Sequence, residues 1–282
     1  MLSDFLIGNY TNPDTRTGVT VLLAPNGATG GCSVRGGAPA SHETELFRAE
    51  NTVEQVNAVV LAGGSAFGLE SISGVMQYLS EQGKGYNAGG YVVPICAGAA
   101  IYDLECGAFD YPKKADGYAA CLAAKEIRDM CGAVGGGTGA TVSKLGGMAN
   151  AVPSGMAVVT AKRGEIEMAV VSVVNALGDV FDPRTGAPLS KGKTGNIAPS
   201  FANTTISCVL TNARLTKAQA NKLADVTQDA YARCIRPVHT MYDGDSIFVM
   251  ASGRVEADLL TLQCLAEELT EQAILNAVVG AK

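Results

Sequence analysis

Apolar positions along the chain switch between two periods. Thr17-Gly18-Val19-Thr20-Val21-Leu22-Leu23-Ala24 and Asn57-Ala58-Val59-Val60-Leu61 are short, β-branched runs, and each stops at turn residues, Pro25-Asn26-Gly27 and Gly63-Gly64-Ser65. Such runs predict buried strands over 17–24 and 57–61. Residues 156–161 and 165–174 repeat the pattern on either side of Lys162-Arg163-Gly164, which predicts a hairpin. Further strands are expected over 205–211 and 247–251, and a short one over 91–95. Elsewhere the apolar spacing is three and four. Leu69, Ile72, Met76 and Leu79 predict a helix over 66–82, closed by Gly83. Tyr118, Cys121, Leu122 and Ile127 predict one over 116–130. Leu223, Val226 and Ala230 predict one over 216–234, where Thr216 and Gln219 form a capping box. Leu259, Leu262, Leu265 and Leu269 predict a long last helix over 254–278. Alternating strand pairs and helix pairs imply a layered α/β fold, with helices on both faces of stacked sheets.

Composition narrows the classes. A chain of 282 residues fits one large unit or two ordinary ones, and one large unit buries about three quarters of its unfolded surface. Net charge is −6 and the longest basic run is Lys113-Lys114, which speaks against a nucleic-acid partner. The start, Met1-Leu2-Ser3-Asp4-Phe5-Leu6-Ile7-Gly8, lacks the basic region and apolar core of a signal peptide. The apolar runs are too short to span a membrane. A cytoplasmic protein is the expectation. Eight cysteines without a Cys-x-x-Cys, with His42 and His239 far apart, predict free thiols and neither metal nor cofactor.

Glycine is abundant at 34 residues and gathers in 27–39 and 132–147. A Gly-rich segment after a strand raises a phosphate-binding loop, yet neither a Gly-Lys-Ser/Thr ending nor a Gly-x-Gly-x-x-Gly is present. A nucleotide-binding protein is therefore the rival class, and it predicts an uncut chain. Arg35 in the first segment reads as a carboxylate binder or a solvated loop residue. Lys144, the only charge in the second, reads as a solvated lysine or a cation aimed into a cleft.

Candidate chemistry centres on Asn203-Thr204, at the mouth of the strand expected from Thr205, after the loop-like stretch 181–201. Thr204 is either the Thr-rich start of a strand or the nucleophile of a self-cleaving bond. In the second reading its hydroxyl attacks the Asn203 carbonyl and water releases the ester. Thr204 then carries a free α-amine of pKa about 8, a base beside its own hydroxyl. Asp243 and Asp245, two apart, put their carboxylates on one face of an extended chain. They read as an acidic pair around Thr204 or as a turn, because Asp-Gly favours one. Asn175 ends an apolar strand, where its amide caps a turn or donates to an oxyanion. Ser65 resembles a nucleophile elbow but lacks the second Gly, and reads as an N-cap. Cys32 and Cys208 are lesser nucleophile candidates.

A resemblance weighs between these readings. The blocks 27–39 (Gly-Ala-Thr-Gly-Gly-Cys-Ser-Val-Arg-Gly-Gly-Ala-Pro), 57–69, 98–104, 137–145, 173–180, Asn203-Thr204-Thr205-Ile206 and Arg236-Pro237-Val238-His239-Thr240…Asp243-Gly244-Asp245 run in the order seen in one family. The chain resembles the L-aminopeptidase/D-esterases, β-peptidyl aminopeptidases and nylon-oligomer hydrolases, which cut themselves once and use the new N-terminal Ser or Thr. That resemblance implies a four-layer αββα sandwich like that of N-terminal-nucleophile hydrolases and ornithine acetyltransferase. It implies one unit cut into residues 1–203 and 204–282, with Thr204, Asp243, Asp245, Asn175 and Lys144 catalytic and Tyr102 in the substrate pocket. The substrate would be a small peptide or peptide-like amide, and the assembly a homo-oligomer, a tetramer of cleaved protomers. Thr204 with two aspartates resembles the nylon-oligomer branch; the aminopeptidase branch has a Ser nucleophile and a Ser/Glu pair. Acyl transfer of the ornithine acetyltransferase type is the same-mechanism alternative.

Overall fold

The structure, a computed structural model, describes residues 2–192 and 203–281; of the expected loop over 181–201, residues 193–201 lie outside these. The principal strands are β1 (Leu6–Asn12), β2 (Thr17–Val34), β3 (Gln55–Ala62), β4 (Cys96–Ala100), β5 (Met156–Arg163), β6 (Ile166–Asn175), β7 (Thr204–Ala213) and β8 (Ser246–Val255). The principal helices are α1 (Ser71–Glu81), α2 (Lys114–Leu122), α3 (Lys217–Cys234) and α4 (Leu259–Val279). The hydrogen-bonded order runs Ser41–His42, β4, β3, β2, β8, β7, β6, β5, Met130–Gly132, with β1 on β2.

One long strand makes two sheets of this order. The Thr17–Leu23 part of β2 pairs with β1 and β3, and its Thr29–Val34 part pairs with β8. Register against β3 shifts between Leu23 and Ala28, so β2 passes from one half-sheet into the other. Strand alternation then sorts the apolar side chains into three cores. Val19, Val21, Val60 and Ala62 meet Ile72, Val75 and Leu79 of α1. Leu22, Val59 and Leu61 face across to Val171, Val173, Ile206, Cys208 and Phe248 of the other half-sheet. Val170, Val174, Val209, Ile247 and Val249 meet Leu223 and Tyr231 of α3 and Leu262 and Ile274 of α4. Helices, half-sheet, half-sheet, helices: this is the expected αββα sandwich.

Several elements depart from the periodicity, each because a tertiary contact outweighs a local signal. Gly27 to Val34 is strand, not loop. A Cβ on Gly31 would stand 2.3 Å from the carbonyl carbon of Ala220, so this glycine lets α3 lie on the sheet and the stretch is no phosphate cradle. The helix over 66–82 breaks into the single turn Ser65–Gly68 and α1. Ser65 is not the N-cap: Gly64 holds that place and no side chain caps the turn. The helix expected to reach 130 stops at Leu122, because Lys125–Glu126 pairs with Leu6 and Ile7 of β1. The strand over 91–95 is a hairpin of Tyr86–Ala88 and Tyr91–Val93. Arg254 belongs to β8; α4 starts at Leu259, capped by Asp258 on the Thr261 amide at 2.9 Å. The hairpin of β5 and β6 and the Thr216/Gln219 capping box of α3 form as expected; a cap of that kind contributes about 1 kcal/mol.

Candidate active site

Thr204 is the first residue of β7 and stands directly opposite Asn175, the last of β6. On the other side, β8 runs parallel to β7 with Ser246 opposite Ile206, so the segment entering β8 arrives beside the Asn203–Thr204 bond. Asn203 bridges to Asp243, and its N–H donates to the Tyr242 carbonyl at 3.3 Å. The Gly244 N–H donates to the Asn203 carbonyl oxygen at 2.8 Å, and the Thr204 hydroxyl donates to the same oxygen. The Asn203 carbonyl oxygen is thus held by a backbone N–H and by the hydroxyl of the residue that follows it. A Cβ on Gly244 would sit 2.7 Å from Thr204 Oγ1, so only glycine leaves this hydroxyl its place.

The segment 240–245 is fixed from behind by the end of β2. Gly37 N–H donates to Thr240, Ala38 N–H to Asp243 and Arg35 N–H to Asp245, all to carbonyls at 2.8–3.1 Å. The Arg35 side chain binds carboxylates of its own protein, Asp225 at 2.7 Å and Asp229 at 3.0 Å, and ties this segment to α3. These pairs are partly exposed, worth roughly 0–1 kcal/mol each.

Asp243 and Asp245 are both buried and both occupied. Asp243 Oδ2 accepts from the Thr240 N–H at 2.9 Å and from the Thr240 hydroxyl. Burial, then the Asp245 charge, push its carboxyl above the ordinary carboxylate range. Asp245 Oδ1 accepts from the Thr205 N–H at 2.8 Å. Asp245 Oδ2 accepts from the His239 N–H at 3.1 Å and pairs with His239 Nδ1 at 2.9 Å. The pair therefore grips its own turn and the Thr205 N–H, while the Thr204 hydroxyl is turned to Asn203.

The opposite wall comes from the Gly-rich 132–147 segment and β6. Asn175 Oδ1 accepts from the Thr141 N–H at 3.0 Å and from Lys144 Nζ at 2.8 Å. Its Nδ2 donates to the Tyr102 carbonyl at 3.0 Å, which commits one of two amide hydrogens. Lys144 Nζ also donates to the Asn175 carbonyl at 3.1 Å. Lys144 is fully buried, not solvated. Burial brings its ammonium down to about 7, against the neighbouring Cys106, Asp243 and Asp103, which favour the charge. Tyr102 enters through its backbone, and its phenol donates to Glu105 at 3.1 Å. Asp103 beside it accepts from the Gly64 N–H at 2.6 Å, and burial raises it to about 6.

The structure thus gathers Asn203, Thr204, Asp243, Asp245, Asn175 and Lys144 at one end of the central strands, with Tyr102 joined through Asn175. Sequence reasoning missed the Gly244 N–H, His239 and Thr141. A backbone donor leaves no residue-type signal; His239 stood in the block Arg236–Asp245 that carries the resemblance, six residues from Asp245, but was given no role. Burial pushes the Cys32 thiol up to about 12 and that of Cys208 well above its ordinary value, which leaves neither as a ready thiolate. Among the described residues no three His, Cys, Asp or Glu side chains cluster as metal ligands, and no helix is long and apolar enough to cross a membrane.

Comparison with known proteins adds the class. The model of peptidase family S58 matches residues 4–282. An uncharacterised aminopeptidase of Mycobacterium leprae is 40% identical over 290 residues, spanning 91% of this chain and 78% of that protein. The chain belongs to peptidase family S58. As an S58 peptidase it is a hydrolase of amide bonds, and nothing supports the nucleotide-binding rival. A 6-aminohexanoate-oligomer endohydrolase of Kocuria sp. is 27% identical, over 96% of this chain and 83% of that protein. Two solved structures share the fold. The L-aminopeptidase D-Ala-esterase/amidase of Ochrobactrum anthropi superposes with a TM-score of 0.77 at 16% identity, covering 100% of this chain and 85% of that one. A Burkholderia sp. β-aminopeptidase gives 0.75 at 19%, covering 99% and 85%. The S58 chain accordingly has the N-terminal-nucleophile hydrolase fold named for the Ochrobactrum structure.

Proposed function

We propose that this S58 peptidase matures by cutting its own Asn203–Thr204 bond and then hydrolyses short peptides or peptide-like amides with Thr204 as N-terminal nucleophile. The grip on the Asn203 carbonyl by Gly244 N–H at 2.8 Å, with Thr204 Oγ1 on the same oxygen, carries this reading. In the first step Oγ1 bonds to the Asn203 carbonyl carbon and the C–N bond breaks, leaving an ester at Thr204 and its freed amine. Water then cleaves the ester, giving a carboxylate at Asn203 and an ammonium at Thr204. In each turnover the neutral Thr204 amine takes the hydroxyl proton and Oγ1 attacks the substrate amide. The leaving amine departs protonated, and water releases the acyl group. Asn175 and Lys144 line the wall opposite the Asn203 carbonyl and serve the turnover oxyanion.

The acidic Asp243/Asp245 pair favours substrates with a free ammonium near the scissile bond, since a charge-assisted bond orients as well as binds. The 40% relatives are named as aminopeptidases and the 27% relatives as 6-aminohexanoate-oligomer endohydrolases; short amides of either kind fall within the proposed class. The protein is one unit of residues 1–203 and 204–282, active as a homo-oligomer of cleaved protomers in the cytoplasm. The test is a panel of p-nitroanilides and short amides, free and N-acetylated, assayed on protein of known mass. Equal rates on free and blocked substrates would overturn the amine preference, and an uncut yet active enzyme would overturn the nucleophile.

A further inference from the structure

His239 is held more tightly than a loop histidine needs to be. Its φ is 54°, in the left-handed region that costs energy for most side chains, and strain of this kind persists where the surroundings enforce it. The backbone there aims two donors at one oxygen: His239 N–H lies 3.1 Å and Nδ1 2.9 Å from Asp245 Oδ2. The ring is half-buried against Tyr231, centroids 6.1 Å apart at 31°. Tyr231 is itself fully buried and anchored by its hydroxyl on Ser207 at 2.6 Å. His239 Nε2 is buried and has no hydrogen-bond partner, so the polar work of the ring goes through Nδ1. With Nδ1 as the donor, the ring pulls one oxygen of Asp245 and the other turns to the Thr205 N–H at 2.8 Å.

Building on the proposed maturation, we infer that His239 is a positioning residue for the free N-terminus: through Asp245 and the Thr205 amide it holds Thr204 in line for attack. The need arises only after cleavage. Before it, Thr204 is tethered on both sides, and Asn203 is held by Tyr242 and Gly244. Once the bond breaks, the chain before Thr204 is gone: Thr204 and Thr205 keep their pairing to Asn175 and Val174 of β6, and on the β8 side the main-chain anchor next to the nucleophile is the Thr205 N–H on Asp245. An N-terminal residue with a loose neighbour samples many orientations, and a misplacement of about 1 Å can cost roughly 100-fold in rate. A histidine that locks Asp245 keeps that anchor in register.

Two substitutions separate this from packing. Asparagine carries an amide nitrogen near the place of Nδ1 and tolerates positive φ; glutamine carries it near Nε2. Both are small and polar, so both preserve the fold better than an apolar change. Each variant is purified, its cleavage verified by intact mass, and kcat and KM measured per cleaved site, with Tm recorded separately. Expected are kcat within about 5-fold of the parent for His239→Asn, and a loss of about 100-fold at little-changed KM for His239→Gln. In ¹⁵N spectra of the cleaved parent, Nδ1 should be the protonated nitrogen, its signal moving in Asp245→Asn. Equal kcat in both variants, a loss confined to KM, or a ring protonated only at Nε2 would overturn the assignment. A parent protein that is itself uncut would instead refute the maturation on which it rests.

Discussion

The N–H of Gly244 points at the carbonyl oxygen of Asn203 from 2.8 Å. The donor belongs to the segment entering β8, and the acceptor to the bond preceding β7. Parallel pairing of these two strands is what brings them together. A backbone donor aimed at a carbonyl is the arrangement that stabilises the oxyanion formed when that carbonyl is attacked, and one such donor is worth about 3–4 kcal/mol where it has been removed.

Maturation is expected to yield two chains, residues 1–203 and 204–282, of about 21 and about 8 kDa by length, from covalent processing. Thr204→Ala should stay whole, whereas Thr204→Ser keeps a hydroxyl and should be cut. Intact mass of the three proteins decides it; a cut Thr204→Ala protein would remove Thr204 from the reaction.

Gly244→Ala keeps the N–H but places a methyl 2.7 Å from Thr204 Oγ1. Such contact forces the hydroxyl away from the Asn203 carbonyl, so cleavage should slow by about 100-fold, the scale of a misplaced reacting group. A time course of the gel bands after expression is the measurement, and wild-type speed would count against the geometry.

Asn175→Ala and Lys144→Met should separate the two activities. Both side chains lie on the β6 side of Thr204, whereas the Asn203 carbonyl is turned to Gly244 on the β8 side. Cleavage should proceed in each variant, while kcat on a good amide falls about 100- to 1,000-fold, the range for a lost oxyanion donor. Failure to cut would show that the same groups serve maturation.

Stability should carry the mark of buried Lys144. Its ammonium titrates near 7 in the fold against 10.5 ordinarily. Between these values the unfolded chain binds a proton that the folded chain lacks, so this residue makes stability rise with pH from about 7 upward. Below 7 both states are protonated and the burial cost is constant. Urea unfolding of the uncut Thr204→Ala protein at pH 6.5 to 8.5, with and without Lys144→Met, reads it as the difference between two curves. The gap should widen with pH in favour of lysine; parallel curves would contradict it.

Much of the architecture was legible in the chain because it follows from alternation. A strand with one face on each of two cores must alternate its packing partners, as Val170, Val171, Val173 and Val174 do, and the β5–β6 hairpin and the capped α3 follow from local chemistry. The Asn203-Thr204 bond and Asn175 stood at the ends of predicted strands, the acid pair shortly before another, and Lys144 as the only charge of a Gly-rich segment, each with a second, structural reading; their grouping was what the family resemblance implied. Other features had no local cause. Residues 27–34 read as a loop because glycine weakens a strand, and it is tertiary approach, of Phe47 to Gly30 and of α3 to Gly31, that calls for glycine there. The helix over 116–130 ended early because β1, a hundred residues before, offered Lys125–Glu126 an edge to pair with. The two readings of Lys144, solvated or buried, differ by nothing in the sequence; burial against Asn175 was decided by the packing of the 132–147 segment on the end of β6, 31 residues further on. The same holds for His239 and the Gly244 N–H. Their partners are a carboxylate turned by the left-handed backbone at 239 and a carbonyl delivered by the parallel β7–β8 pairing. Side-chain alternation is a property of one segment, whereas the aim of a donor at an acceptor depends on how two segments are packed, and that is set by the whole fold.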